Sequence, residues 1–473
     1  MQSKLQIRHA VLPALLLLTG AVLQLLAYWP GLLHTDSTIQ YGEALSGVWQ
    51  DWHSPLMSWM WRHLLWIHSG PAPFFVLQAL LYWCGFALLT WWALREDRWV
   101  LALLIASIAL LPLSLATLGS IIKDCLMTGL LLCATGLFAL RQQKPGRLVS
   151  VTAIACLVLA AGLRSNAFLA ALPLLVMLLP AALRRTPLRL AITSLVSGIA
   201  LLATMPIANK LLDAQRSDVN LSLIIFDMGG ITRYSGVDVF PPLGLSDTVK
   251  VNAGCYTPRY WDSYGWWVEH PCGISFGSVR EAFRKSGENP YVHWIKAIVS
   301  HPIAYATHRL YHFNLNSRFM VRWAIKQPVW NESRSTYKQF DITPNPILHG
   351  IDRAAFRNVQ LPVGWPIWWL AVTAGVLILS PGLKSRNFIV PVGLSALLYG
   401  FGYIALSVAL ETRYHMWTII AALIVTAVAM EDLRTGPRPS RRRLLLAAAP
   451  VLLVTILGFA ARFYLRAGMS PAV

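Results

Sequence analysis

The chain has 473 residues, 56% of them hydrophobic and 13% charged, with a formal net charge of +19. So apolar a composition excludes a single soluble core, because helices of about 20 apolar residues expose surface that only lipid covers. The positive charge does not mark a nucleic-acid binder either: it is spread over short loops between apolar segments rather than gathered in a patch.

Taken in chain order, about eleven segments are apolar enough to predict membrane crossings, near residues 10–29, 72–94, 100–118, 125–140, 148–163, 167–183, 190–211, 362–382, 388–409, 414–430 and 444–463. The basic residues favour alternate loops: Arg95 and Arg98; Arg141, Lys144 and Arg147; Arg184, Arg185 and Arg189; Lys384 and Arg386; Arg434, Arg438, Arg441, Arg442 and Arg443. The other short loops carry isolated charges, among them Arg62, Lys123, Arg164 and Arg413. With Lys4 and Arg8, this is a positive-inside pattern and predicts a cytoplasmic N-terminus and an extracytoplasmic C-terminus. Arg462 and Arg466 run against it in the last segment. The first segment is longer than a signal-peptide core and ends in Tyr28-Trp29-Pro30 rather than small residues, which predicts an uncleaved anchor.

The loop after the first segment, residues 30–71, carries the most informative polar residues. It reads His34-Thr35-Asp36-Ser37-Thr38-Ile39-Gln40-Tyr41 and, further on, Asp51-Trp52-His53-Ser54-Pro55. Ser37 and Gln40 fit a capping box and predict a helix starting at Thr38, on the extracytoplasmic side. Ser54-Pro55 predicts a second helix, whose Leu56, Met57, Trp59, Met60, Leu64 and Trp66 suit the membrane interface. Asp36 then sits beside lipid yet within reach of water, a place for a base that acts on a membrane-borne substrate. Asp51 and His53 are candidates for binding substrate hydroxyls, and Gln40 and Tyr41 for support.

Three further loop ends on the same side carry charge. Lys123-Asp124 is the only charged pair between Trp99 and Arg141. A lone ammonium facing a cleft is a natural anchor for a phosphate. Glu411-Thr412-Arg413-Tyr414 supplies an arginine, whose fork suits phosphate, with Glu411 and Tyr414 beside it. Arg164-Ser165-Asn166 is read as support for such a site.

Residues 212–361 contain no crossing segment and predict an outer domain. It is rich in aromatic residues, such as Tyr260-Trp261-Asp262-Ser263-Tyr264-Gly265-Trp266-Trp267, which suit either a carbohydrate or a headgroup belt. Residues Tyr291 to Phe313 predict one amphipathic helix on the membrane surface, with Ile295, Ile298, Val299, Ile303 and Tyr305 on its apolar side and His301, His308, Arg309 and His312 on its polar side. His308 and His312 have metal-ligand spacing but basic surroundings and no accompanying HExxH. Cys255 and Cys272, two of six cysteines, suit a disulfide in an oxidising compartment.

Together these motifs resemble the GT-C superfamily of membrane glycosyltransferases. Asp36 matches the first-loop acid of that superfamily, lying between two juxtamembrane helices. Asp124 matches its second acid, within a seven-span module over residues 1–211. Arg413-Tyr414 is similar to an arginine-containing motif of the bacterial branch. The chain departs in reading Asp-Ser where many members read Asp-Glu. The resemblance implies an all-α polytopic fold with a mixed periplasmic domain over 212–361 and further membrane helices over 362–473. It implies a bacterial inner-membrane enzyme with a periplasmic site, which moves a sugar from a polyprenyl-phosphate carrier to a lipid or glycan acceptor with inversion. Asp36 and Asp124 would be catalytic, Lys123 and Arg413 would hold the donor phosphate, and no nucleic acid would be a partner. A divalent cation shared by Asp36 and Asp124 is left open. The alternatives are a membrane transporter and an outer-face ligase using a lipid-pyrophosphate glycan. Transporters place ionisable residues at mid-membrane in repeated halves, whereas here they mark segment ends and no repeat is visible.

Overall fold

The structure is a computed structural model and describes residues 2–268, 272–323 and 335–466. Residues 269–271, 324–334 and 467–473, with the side chains of 2–8 and 466, lie outside that description, and the expected roles of Lys4, Arg8 and Arg466 fall there. Regular structure among the described residues is helical, with only two isolated β-bridges. The helices are α1 Gln2–Tyr28, α2 Thr35–Ser46, α3 Pro55–Leu64, α4 Ala72–Arg95, α5 Trp99–Ile108, α6 Pro112–Leu118, α7 Lys123–Gln143, α8 Arg147–Leu163, α9 Ala167–Leu178 and α10 Pro187–Leu211. There follow α11 Leu221–Ser235, α12 Thr248–Cys255, α13 Phe276–Ser286, α14 Pro290–Ser300 and α15 Pro302–Asn316. The chain closes with α16 Pro346–Asn358, α17 Pro366–Leu379, α18 Arg386–Leu406, α19 Met416–Thr435 and α20 Arg441–Arg466.

This is a multi-pass membrane protein. Among the described residues seven helices are long and apolar enough to cross a bilayer, and an eighth crossing results if α5 and α6, bent by 51° at a break, count as one. The helices at Arg147–Leu163, Ala167–Leu178 and Pro366–Gly382 are apolar but shorter. They fall where the sequence predicts three of its eleven crossings. Proline explains two of the interruptions: Pro112 starts α6 after the bend, and Pro180 follows the end of α9.

Two compact units divide the chain. The first comprises Met1–Arg216, Gln327–Gly400 and Thr412–Ile456; the second comprises Ser217–Lys326, Phe401–Glu411 and Leu457–Val473. The expected domain limits at 211 and 361 differ from this division, because α16 belongs with the first unit. There the Tyr28 hydroxyl donates to Asp352 at 2.7 Å, and Asn345 donates to the carbonyls of Leu26 and Ala27.

At the centre of the first unit is α7, with 83% of its apolar window buried. It packs closely on α4 because small residues face the contact. A Cβ at Gly129 would meet the Leu81 Cβ at 2.8 Å, and one at Gly136 would meet the Leu88 Cβ at 2.6 Å. At the end of the bundle away from the α7 N-terminus, Arg98 pairs with Asp432 at 2.6 Å, and Asp432 also accepts from the Ser385 amide at 2.7 Å. Arg141 donates there to the Leu178 carbonyl at 2.7 Å.

In the second unit α11 and α15 pack together around a buried ionic network. Arg309 reaches Asp227 at 2.6 Å, His308 reaches it at 3.1 Å, and Trp294 donates to it at 2.9 Å. Burial alone would raise the Asp227 carboxyl, but Arg309 and His308 outweigh it and hold it below the usual range. The predicted Tyr291–Phe313 helix is two helices, broken where Pro302 begins α15. Its polar set is largely turned inward: His308, Arg309 and His312 are buried. The two histidines have separate partners, since Nδ1 of His312 bonds the Pro258 carbonyl at 2.7 Å and Nδ1 of His308 bonds the Tyr256 hydroxyl at 2.8 Å. No group of three or more metal-ligating side chains occurs among the described residues. Cys255 and Cys272 form a disulfide. Of the aromatic run, Trp261 and Tyr264 are buried while Tyr260, Trp266 and Trp267 are exposed.

Candidate active site

The site begins with a staple between two loops far apart in sequence. Leu32 and Ser120 form a bridge, in which the Leu32 amide bonds the Gly119 carbonyl at 2.9 Å and the Ile121 amide bonds the Leu32 carbonyl at 3.0 Å. Side chains close the same seam. Ring atom Nε2 of His34 bonds the Ser120 hydroxyl at 2.7 Å, and the Ser37 hydroxyl donates to the Ile121 carbonyl at 2.6 Å. From α4, Gln78 donates to the carbonyls of Leu118 and Ser120, both at 2.9 Å. The N-terminus of α2 is thereby fixed against the N-terminus of α7.

Here the predicted capping box is corrected. The helix starts at Thr35, three residues earlier than expected, with His34 as its N-cap and Ser37 as the reciprocating third residue. Gln40 is released from capping and donates to the Ser54 carbonyl at 3.3 Å. Ser54 does precede a helix with proline first, yet its hydroxyl donates to the Gly162 carbonyl at 2.7 Å instead of capping. That bond ties the start of α3 to the end of α8, next to Arg164.

Five charged side chains meet within this frame. Asp36, in the first turn of α2, accepts from Nη2 of Arg413 at 3.0 Å. Arg413 belongs to a 3-10 turn, Thr412–His415, leading into α19. Its Nε lies 4.0 Å from Oδ2 of Asp124. Asp124, in the first turn of α7, accepts from Arg164 through Oδ1. Arg164 is steadied by the Asn166 side chain at 3.0 Å, and its guanidinium lies over the Tyr414 ring at 4.2 Å. The Arg413 guanidinium is 5.7 Å from the same ring. Lys123 donates to Nδ1 of His53 at 3.1 Å.

The burial is graded. The Asp124 side chain is 1% exposed and Arg164 14%, against 17% for Arg413 and 31% for Asp36. Asp36 is therefore the carboxylate that a substrate can reach. Burial pushes the other way on its carboxyl, but Arg413, His53 and Lys123 together hold it well below the usual carboxylate range. Burial, reinforced by Lys123, pushes the His53 imidazole down to about 3, so the ring is neutral at pH 7. With Nδ1 accepting from Lys123, the ring proton resides on Nε2, which is buried and has no hydrogen-bond partner among the described residues. The site thus sets three basic side chains and one buried N–H against two carboxylates.

Sequence-predicted residues Asp36, His53, Lys123, Asp124, Arg164, Arg413 and Tyr414 are brought together. Tyr41 is not a member: it is buried against Trp61, Tyr337 and Phe340, with ring centroids 5.2, 4.9 and 5.8 Å away. Glu411 falls in the second unit, where its charge acts on Arg318. Asp51 is placed by its amide, which bonds the Gln215 carbonyl at 3.0 Å. Sequence reasoning missed His34 and Ser120, whose joint role is visible only once their loops meet. A divalent cation does not fit between Asp36 and Asp124, because Arg413 lies there and Lys123 and Arg164 add further positive charge.

No protein-family profile and no curated protein sequence matches the chain. Among solved structures it is similar to the archaeal oligosaccharyltransferase AglB from Archaeoglobus fulgidus, in complex with an inhibitory peptide and a dolichol-phosphate. The identity is 14% and the TM-score 0.37, over 95% of this chain and 56% of that one. The chain thus spans a little over half the length of the archaeal protein. It is also similar to ArnT from Cupriavidus metallidurans bound to undecaprenyl phosphate, at 15% identity and a TM-score of 0.31, over 89% of this chain and 77% of that one.

Proposed function

We propose that the protein is a membrane glycosyltransferase that moves one sugar from a polyprenyl-phosphate carrier to a hydroxyl of a lipid or glycan acceptor, with inversion. The observation that carries this reading is the convergence of one solvent-reachable carboxylate, Asp36, with Lys123, Arg164 and Arg413 at the ends of membrane-spanning or apolar helices. Asp36 takes the proton of the acceptor hydroxyl as its oxygen attacks the anomeric carbon. The bond from that carbon to the carrier phosphate breaks, and the phosphate leaves with the electron pair. The transition state has oxocarbenium character, as in other glycosyl transfers. A phosphate leaving group needs positive charge rather than a general acid, and Lys123 and Arg413 supply it. Nε2–H of His53 is a further donor aligned by Lys123.

The placement favours an extracytoplasmic site in the bacterial inner membrane, with the basic loops on the cytoplasmic side. Asp36→Asn tests the chemistry directly. In purified protein supplied with carrier-linked sugar, transfer should fall by about 10²- to 10⁴-fold while the variant elutes as a folded species. Near-normal turnover would remove Asp36 as the base. Release of a whole glycan from a pyrophosphate donor would favour the ligase alternative.

A further inference from the structure

Arg413 lies between two carboxylates that receive it unequally. It is hydrogen-bonded to Asp36 at 3.0 Å and stands 4.0 Å from Oδ2 of Asp124. That Asp124 oxygen is buried and accepts no hydrogen bond among the described residues, although the other oxygen is taken by Arg164. A buried, charged oxygen without a donor is costly and is normally satisfied. The next seat for the guanidinium is thus already built, about one ångström away. The Arg413 guanidinium lies 5.7 Å from the Tyr414 ring centroid, so a shift of about one ångström keeps it within cation–π range.

We propose that Asp124 is a positioning residue, the second seat of Arg413, and that a donor phosphate entering the pocket drives Arg413 from Asp36 to Asp124 and so frees the base. This rests on the reading of Asp36 as the base and of the cluster as a phosphate site. In the resting protein Arg413 ties up the oxygen that must accept the acceptor proton. A carboxylate paired this way is a poor base. The incoming donor, a phosphodiester monoanion, competes for Lys123 and for one edge of Arg413, and Asp124 takes the other edge. Once Arg413 moves, Asp36 is left facing His53 and Lys123, with Asp124 and Arg164 behind them, and its basicity rises. Transfer without bound donor is suppressed by the same contact, which is a two-position element that the ligand biases.

The direct test compares structures of the full chain in lipid nanodiscs, with and without a long-chain polyprenyl phosphate. With the lipid bound, the 3.0 Å Arg413–Asp36 contact should open beyond about 3.5 Å while Arg413 closes to about 3 Å from Asp124. Arg413 remaining on Asp36 beside bound phosphate would overturn the proposal. So would departure to the phosphate alone, leaving Asp124 unvisited. Kinetics give a second readout. In the wild type the acid limb of kcat should lie at higher pH than that of kcat/KM for donor, because Asp36 is freed only in the complex. In Asp124→Asn the two limbs should coincide and kcat should fall about tenfold or more. Coincident limbs in the wild type would contradict the switch. If Asp36→Asn is inactive and Arg413 is static, the switch alone fails; if Asp36→Asn is active, the base assignment fails first.

Discussion

Asp36, His53 and Arg413 form a chain of mutual adjustment. Burial on its own would raise the Asp36 carboxyl, and three neighbouring cationic or polarised groups reverse the sign. A carboxyl depressed in this way stays ionised through neutral and mildly acid pH, and loses its charge only as the pH falls below the usual range. Arg413→Ala removes the nearest cation and leaves burial less opposed. The acid limb of kcat/KM should then move upward in a pH–rate series; an unmoved limb would show that Arg413 does not govern Asp36. Lys123→Ala should raise the donor KM by about 10- to 100-fold and change kcat less, as donor titration would show. An unchanged donor KM would reject the phosphate role. The ring of Tyr414 lies close to the guanidiniums of both Arg164 and Arg413. Tyr414→Phe should therefore keep donor affinity, whereas Tyr414→Ala should weaken it about 2- to 5-fold. Asp36, Lys123 and Arg413 could be singled out as candidates from sequence because they are isolated charges at the ends of apolar segments. Their pairing could not, since Asp36 and Arg413 lie 377 positions apart.

At the scale of elements, the short helices after α1 were legible from proline and polar-residue placement, but the register of α2 was not. His34 replaces the expected cap because its backbone and ring both find partners across the seam to Ser37 and Ser120. The pair α14–α15 carries an apolar stripe outward, with Val299 72% and Ile303 81% exposed, while the ionic network around Asp227 lies beneath. Val292, Ile295 and Val299 before the break at Pro302, and Ile303 and Leu310 after it, are all exposed. Within the same unit, Phe313 meets Phe401 near the end of α18 at 6.2 Å, and Arg309 donates to the Ser407 carbonyl at 2.7 Å. An exposed apolar stripe of this kind suits the bilayer interface. A fluorophore at Val299→Cys or Ile303→Cys, in a Cys84→Ala background, should be quenched by nitroxide lipids in nanodiscs, and one at Lys285→Cys should not. Quenching by aqueous iodide at all three positions would place the stripe in water.

For the molecule as a whole, hydropathy located the apolar segments and their order well, because lipid enforces long helices whatever their neighbours. It did not mark which segments would be short or bent, since those depend on proline and on packing around α7. Nor did it reveal that residues near Asp352 join the first unit, through the Tyr28 hydroxyl and the Asn345 side chain. The central claim is that this bundle presents Asp36 and its cations to one carrier-borne sugar. Mass spectrometry of envelope lipids and glycans tests it most directly, in cells with the protein, without it, and with Asp36→Asn at equal abundance. The account predicts one species heavier by a single sugar, present only with the unaltered protein. Identical spectra in all three, or the heavier species persisting with Asp36→Asn, would contradict it.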